Sequence, residues 1–188
     1  MASELQRRKV AGVFDAMDVD GDGFLEKEDF QALAERWTAV RDLAPGDPDH
    51  AKLTGIMMGW WETLLAASDR DRDDKATLDE VLLVVDRLPG MLDAVEATAA
   101  AMFEAVDENG DDLISAEEYR QLIETWNGRA VDTDAIFSRL DLDGDGHLSR
   151  TEFTALWVEF WVGDDPTSPG TWVFGRFDPT LSRDSGEQ

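Results

Sequence analysis

A chain of 188 residues with 42 acidic and 17 basic side chains carries a formal net charge of −25. That charge excludes nucleic acid and anionic membrane surfaces as partners, because phosphate contacts need clustered Lys and Arg, and the absence of cysteine excludes disulfides, thiolate zinc sites and cysteine nucleophiles. With 43% hydrophobic residues the chain can bury a real core, as one domain or two closely packed halves, and its surplus carboxylates suit a protein that binds cations.

The stretch Met1–Val10 carries Arg7, Arg8 and Lys9 without an apolar run behind them. It predicts no signal peptide, and no run approaches the ~18–20 apolar residues of a membrane span. Ala2 stands where an N-myristoylation signal requires glycine, so a cytoplasmic location is expected. Arginine outnumbers lysine and alanine is abundant, a composition associated with high-GC bacterial sources.

Ser3 with Gln6 predicts a capped first helix, whose apolar face is Leu5, Val10, Val13, Phe14 and Met17. It delivers a twelve-residue loop from Asp18 to Asp29. Asp18, Asp20 and Asp22 stand at its first, third and fifth positions, and Gly23 stands at the sixth, where the chain must turn sharply. Phe24 at the seventh offers its backbone carbonyl. This is the calcium-loop pattern of an EF-hand, which surrounds the ion with six to eight hard oxygens. The twelfth residue is Asp29, one methylene shorter than the usual Glu, so Glu26 at the ninth is expected to compensate by direct binding. Magnesium, which prefers six ligands, should compete most at this loop.

An exit helix with Phe30, Leu33, Trp37 and Val40 ends at Pro45-Gly46-Asp47-Pro48. Asp47 and Pro48 start the next helix, with Leu53, Ile56, Met57, Trp60, Trp61, Leu64 and Leu65 as its apolar positions. Two registers compete for the loop that follows. Spacing from Leu65 makes Asp69 the first position, with Asp74 sixth and Ala76 eighth. Spacing from the exit helix makes Leu78 the eighth position and an apolar Leu82 the twelfth, with Lys75 fifth. The segment Asp69–Leu82 therefore reads as a loop stretched to fourteen residues. Asp69, Asp71 and Asp73 attract cations, but neither register completes a shell, and this loop is expected to stay empty. Its expected use is to pair Leu25 with Leu78. Thr77 with Glu80 caps a helix whose face is Leu78, Val81, Leu82, Val85 and Leu88, and Pro89-Gly90 marks the boundary between halves.

A helix with Leu92, Val95, Met102, Phe103 and Val106 leads to the third loop, Asp107–Glu118. Asp107, Asn109, Asp111 and Glu118 fill positions one, three, five and twelve, with the Leu113 carbonyl at seven. Asp112 replaces the usual glycine at six, and aspartate reaches the left-handed region more readily than most residues. Tyr119, Leu122, Ile123 and Trp126 follow, and Asn127-Gly128 closes that helix. The fourth loop, Asp141–Glu152, meets every demand: Asp141, Asp143, Asp145, Gly146, the His147 carbonyl, Ser149 acting through water, and a bidentate Glu152. Ile136, Phe137 and Leu140 run in, Phe153, Leu156, Trp157 and Phe160 run out, and Ile114 should lie opposite Leu148.

The tail keeps Trp172, Phe174 and Phe177 within six residues, which a disordered tail has little reason to do. The reading preferred to surface decoration is an intramolecular plug over residues 172–177, with fraying after about Pro179. The fold class is all-α, with four EF-hands in two pairs packed into one compact unit. Residues 1–90 form the first pair, 91–162 the second and 163–188 the tail.

Three complete loops, a degenerate second loop, the long gap between the first two and the Pro169–Gly175 segment together resemble the sarcoplasmic calcium-binding proteins, and most of all their prokaryotic calerythrin-type members. The resemblance covers nearly the whole chain. It implies a compact helical fold, calcium in the first, third and fourth loops, and calcium buffering or transport.

The leading function is therefore a monomeric cytosolic calcium buffer or store that folds with its ions. The alternative is a sensor that exposes a groove to a target protein. Sensor grooves are rich in Met, whereas this chain has six Met and seven Trp. An enzyme is the remaining alternative and the sequence argues against it: its carboxylates fall in metal loops, and His50 and His147 are read as surface residues.

Overall fold

The computed structural model describes residues 1–175 of the chain. Expectations for Arg176, Phe177 and the residues after Pro179 lie outside the described residues. Eight helices follow one another: α1 (Glu4–Met17), α2 (Lys27–Val40), α3 (Pro48–Ser68), α4 (Leu78–Val85), α5 (Leu92–Val106), α6 (Ala116–Asn127), α7 (Asp134–Leu140) and α8 (Arg150–Val162). Short strands β1 (Phe24–Leu25), β2 (Ala76–Thr77), β3 (Leu113–Ser115) and β4 (His147–Ser149) precede α2, α4, α6 and α8.

Local chemistry sets the helix ends. Ser3 Oγ accepts the Gln6 N–H at 3.1 Å while the Gln6 carboxamide oxygen accepts the Ser3 N–H at 3.1 Å, so orphan donors at the start of α1 are satisfied reciprocally. Thr77 and Glu80, Ser115 and Glu118, and Ser149 and Glu152 repeat that box on α4, α6 and α8. Gly128 ends α6 at φ 67°, the left-handed backbone that glycine adopts without steric cost.

The strands are too short to stand alone and pair antiparallel across the loops. In β3–β4 Ile114 faces Leu148, as the spacing predicts. In β1–β2 the sequence reading is corrected: Leu25 faces Ala76 and Phe24 faces Thr77, while Leu78 already belongs to α4. Ala76 is fully buried, and its methyl is enough to seal the contact beneath the larger Leu25.

One hydrophobic cluster draws side chains from all eight helices. The indoles of Trp37, Trp126 and Trp157 and the Tyr119 ring are buried in it. Trp60, partly buried, stacks on Trp126 with ring centroids 5.7 Å apart, and Trp61 packs on Phe30 at 5.2 Å. The Trp60-Trp61 pair is thus core. After α8 the chain turns back through a short 3-10 turn, Pro169–Trp172. Gly170 lies so close to α8 that a β-carbon there would meet the Leu156 carbonyl at 2.6 Å. Tyr119 Oη lies 3.1 Å from the carbonyl oxygens of Trp172 and Val173. Phe174 packs 4.7 Å from Phe160 and 5.1 Å from Trp157, centroid to centroid. Among the described residues no helix is long and apolar enough to cross a membrane.

Lys9 joins α1 to the end of α8. Its side chain is buried, and Nζ donates to the carbonyls of Gly163 at 2.8 Å and Glu159 at 3.3 Å. Burial lowers its pKa from 10.5 to about 8, against the opposing pull of the Asp164 and Glu159 carboxylates. The folded chain then holds fewer protons than the unfolded chain between pH 8 and 10.5. Lys9 should therefore make stability rise with pH across that window, its charge penalty being fully present below it. Burial raises the Tyr119 phenol well above its usual 10.0, and that acts in the opposite direction only above about pH 10. Chemical denaturation of the parent and Lys9→Met between pH 7 and 10 should show the rise in the parent alone.

Candidate metal centres

Each of the four loops is shaped by its own carboxylates before any ion is considered. In the first, Asp18 accepts the N–H groups of Gly21 at 2.8 Å and Gly23 at 2.9 Å, and Asp22 accepts that of Phe24 at 2.9 Å. In the fourth, Asp141 accepts those of Gly144 and Gly146, both at 2.8 Å, Asp143 that of Asp145 at 3.1 Å, and Asp145 that of His147 at 2.8 Å. The third repeats this with Asp107 to Gly110 at 2.8 Å, Asn109 to Asp111 at 3.0 Å and Asp111 to Leu113 at 3.0 Å. The residues after the first, third and fifth donors thus wrap around one point, with the carbonyls of Phe24, Leu113 and His147 set at the start of each strand.

The second loop follows the same path, which corrects the fourteen-residue reading. α3 stops at Ser68 and α4 starts at Leu78, so the loop runs twelve residues from Asp69 to Glu80. Asp69 accepts the N–H groups of Arg72 at 2.7 Å and Asp74 at 3.3 Å, and Asp73 accepts that of Lys75 at 3.0 Å. Glu80 is the twelfth residue, a position that the fourteen-residue reading passed over. Counting twelve from Asp69, or matching Thr77–Glu80 to the boxes Ser115–Glu118 and Ser149–Glu152, would have found it. Weak turn residues hid the loop. Arg72 and Asp74 adopt φ 64° and 63° where the first and fourth loops use glycine, at about 1–2 kcal/mol of strain per residue. Asp112 in the third loop turns at φ 62°, the strained but feasible turn that the sequence predicts.

The twelfth carboxylate closes each loop onto its exit helix. Glu118 accepts the N–H of Glu108 at 2.9 Å with one oxygen and that of Ser115 at 2.8 Å with the other. Asp29, shorter, still reaches Val19 N at 3.0 Å and Glu26 N at 2.8 Å. Glu80 reaches Arg70 N at 3.4 Å and Thr77 N at 2.9 Å. Glu152 differs. Its Oε2 accepts Ser149 N at 2.9 Å, but its Oε1 is buried without a partner. Carboxylate oxygens of Glu152, Asp141 and Asp143 lie within 4.8 Å of one another, as do those of Asp18, Asp20 and Asp22, and those of Asp69, Asp71 and Asp73. Glu26, expected to join the first group, instead pairs with Lys75 Nζ across β1–β2.

The electrostatics follow from this crowding. Burial raises the Asp29 carboxyl above its usual range despite the Glu26 and Val19 N–H groups, and the charges of Asp20 and Asp18 add to the rise. The Asp145 N–H pulls Asp143 down, but desolvation and the Asp145 and Glu152 charges outweigh it, and Asp143 ends raised. Asp71 is raised by desolvation and by the Asp73 and Glu80 charges. All donors are oxygens, which suits calcium or magnesium and not a softer metal. The orphaned oxygen of Glu152, a residue whose carboxylate clusters with those of Asp141 and Asp143, fits a divalent cation, since an unpaired buried charge is otherwise costly. Glu152→Gln should weaken calcium binding at the fourth loop about a hundredfold, or about 3 kcal/mol, read by calorimetry against the parent.

Comparison with known proteins places this geometry. The family model for an EF-hand domain pair matches residues 96–158, and that for an EF hand matches residues 10–34. The beta chain of a sarcoplasmic calcium-binding protein from Penaeus sp. is 26% identical over 170 residues, covering 84% of this chain and 88% of that protein. A sarcoplasmic calcium-binding protein from Perinereis vancaurica tetradentata is 31% identical over 119 residues, covering 62% of this chain and 67% of that one. Among solved structures, a Streptomyces coelicolor calcium-binding protein, described in terms of prokaryotic calcium-mediated regulation, superposes with a TM-score of 0.68. It is 22% identical, with 85% of this chain and 99% of that one covered. With an EF-hand fold built around acidic oxygen-lined loops, the chain belongs to the sarcoplasmic calcium-binding protein family and is a calcium-binding EF-hand protein of that type.

Proposed function

We propose that this protein is a calcium buffer or store of the bacterial cytoplasm, acting as a monomer whose four EF-hands pair as first with second and third with fourth. The observation that carries calcium binding is Glu152, whose buried Oε1 has no donor and whose carboxylate lies within 4.8 Å of those of Asp141 and Asp143. Asp18, Asp20, Asp22, Asp29 and the Phe24 carbonyl serve the first site. Asp107, Asn109, Asp111, Glu118 and the Leu113 carbonyl serve the third, and Asp141, Asp143, Asp145, Glu152 and the His147 carbonyl the fourth. With Glu80 in the twelfth position the argument for an empty second loop falls away, and Asp69, Asp71, Asp73 and Glu80 make it a fourth site. It is weakened by the strain at Arg72 and Asp74. Magnesium competes most at the first site, where Asp29 is short and Glu26 is held by Lys75. Calorimetric titration should give four calcium ions per chain and three for Glu80→Gln; three in both would return the second loop to an empty role.

Two features favour buffering over sensing. The groove between α6 and α8 is filled by the chain's own Val173 and Phe174, and the surrounding core is built from Trp and Phe, which repack less readily than Met. Without ions the crowded carboxylates repel, so calcium should drive ordering, with buffer-class Kd values of roughly 10⁻⁹–10⁻⁸ M at the best sites. The dye ANS reads exposed apolar surface. Saturating calcium at constant magnesium should lower its binding. A rise instead would mean that calcium opens a groove, and the protein would then be a sensor for a partner.

A further inference from the structure

Helix α2 leaves the first loop and ends against the third. Asp29 stands on its first turn, and Arg41 follows its last residue, Val40, about 18 Å further along at 1.5 Å per residue. The Arg41 side chain is only 5% exposed and lies over the Trp37 ring, 5.5 Å from its centroid. It donates to the Val106 carbonyl at 2.8 Å and to Gln121 Oε1 at 3.3 Å, and stands 3.8 Å from the Glu108 carboxylate. These partners belong to three parts of the third hand. Val106 is the last residue of α5, Glu108 is the second residue of the loop, and Gln121 lies on α6. Helix α5 has no basic residue in its own last turn, so a guanidinium from the other half of the chain meets its negative end. The Glu108 N–H in turn donates to Glu118, the carboxylate that closes the third loop.

We propose that Arg41 couples the first and third loops, so that filling the first tightens calcium binding at the third. This rests on the reading above that both loops bind calcium. The physical reason is the cost of a buried guanidinium. It is tolerated only where its donors meet their acceptors, and that requires α2 to be held in place. Calcium at the first loop fixes α2 through Asp29, and α2 as a stiff helix carries the placement to Arg41. Arg41 then holds Val106, Glu108 and Gln121 in the arrangement that Glu118 needs to close the shell. Because the guanidinium is paired with Glu108, it brings little net positive charge to the loop. Its effect on binding is therefore one of geometry more than of repulsion. Thermodynamic linkage makes the effect reciprocal, so filling the third loop tightens the first by the same factor.

A double-mutant cycle tests this. Chelator-buffered calcium titrations of the full chain, followed by the Gly110 and Asp112 amide resonances, report the third loop alone. Asp18→Ala disables the first loop and should weaken the third at least about fivefold in the Arg41 background. In the Arg41→Met background the same change should leave the third loop within about twofold of its value. Arg41→Lys keeps the charge but cannot span the three partners, and serves in place of Arg41→Met should that variant not fold. Equal effects of Asp18→Ala in both backgrounds, or a tightening instead of a weakening, would overturn the coupling. Failure of the parent's third loop to bind calcium at all would instead overturn the functional reading on which it rests.

Discussion

Repulsion between carboxylates that the backbone forces together is the constraint on which the rest of this structure depends. The first, second and fourth loops each gather acidic side chains around one point, and in all four loops backbone N–H groups hold the first carboxylate by donating to one of its oxygens. Those hydrogen bonds stabilise the anions only partly, as the raised carboxyls of Asp29, Asp71 and Asp143 show. On the proposed function a divalent ion would remove the repulsion and fill the remaining lone pairs. The twelfth carboxylate then gives the loop a hold on structure beyond itself, because it lies on the first turn of the helix that leaves the loop.

The loops also lean on one another. Antiparallel strands join first to second and third to fourth, and side chains cross the same seams. Lys75 of the second loop reaches Glu26 of the first, and Arg150 of the fourth donates to Asp112 of the third at 3.1 Å. Such exposed pairs contribute little to stability on their own. Their importance is positional: Lys75 holds the Glu26 side chain across the strand pair. Behind the loops, Trp60, Trp126, Trp157, Phe160 and Phe174 form a continuous aromatic contact between α3, α6, α8 and the chain after α8. Offset and edge-on aromatic contacts of this kind favour one arrangement of rings over many.

Much of this was legible in the residues. Alternation of Asp with glycine at fixed spacing marks the first and fourth loops without ambiguity, and the twelfth acid marks the third even with Asp112 at the turn. The boxes Ser3–Gln6, Thr77–Glu80 and Ser149–Glu152 set the starts of α1, α4 and α8. Glu80 shows where such reading stops. The second loop lacks glycine at both turning positions and places Ala76 where a larger apolar residue is usual, so periodicity on either side suggested two different registers. The observed backbone accepts strain at Arg72 and Asp74 because strand pairing with the first loop holds the chain in that path.

Sequence alone therefore determined the chemistry: hard oxygen donors, their order within each loop and the helical faces that flank them. These are local properties, fixed by residue type and by spacing within a dozen positions. Tertiary structure decided which of the donors are free to act. Glu26 is taken by Lys75, Glu152 keeps an unpaired buried oxygen, Arg41 reaches from the end of α2 to the third loop, and Gly170 brings the returning chain against α8. Each of these depends on the packing of segments distant in sequence, where burial and side-chain reach, and not local pattern, fix the partner.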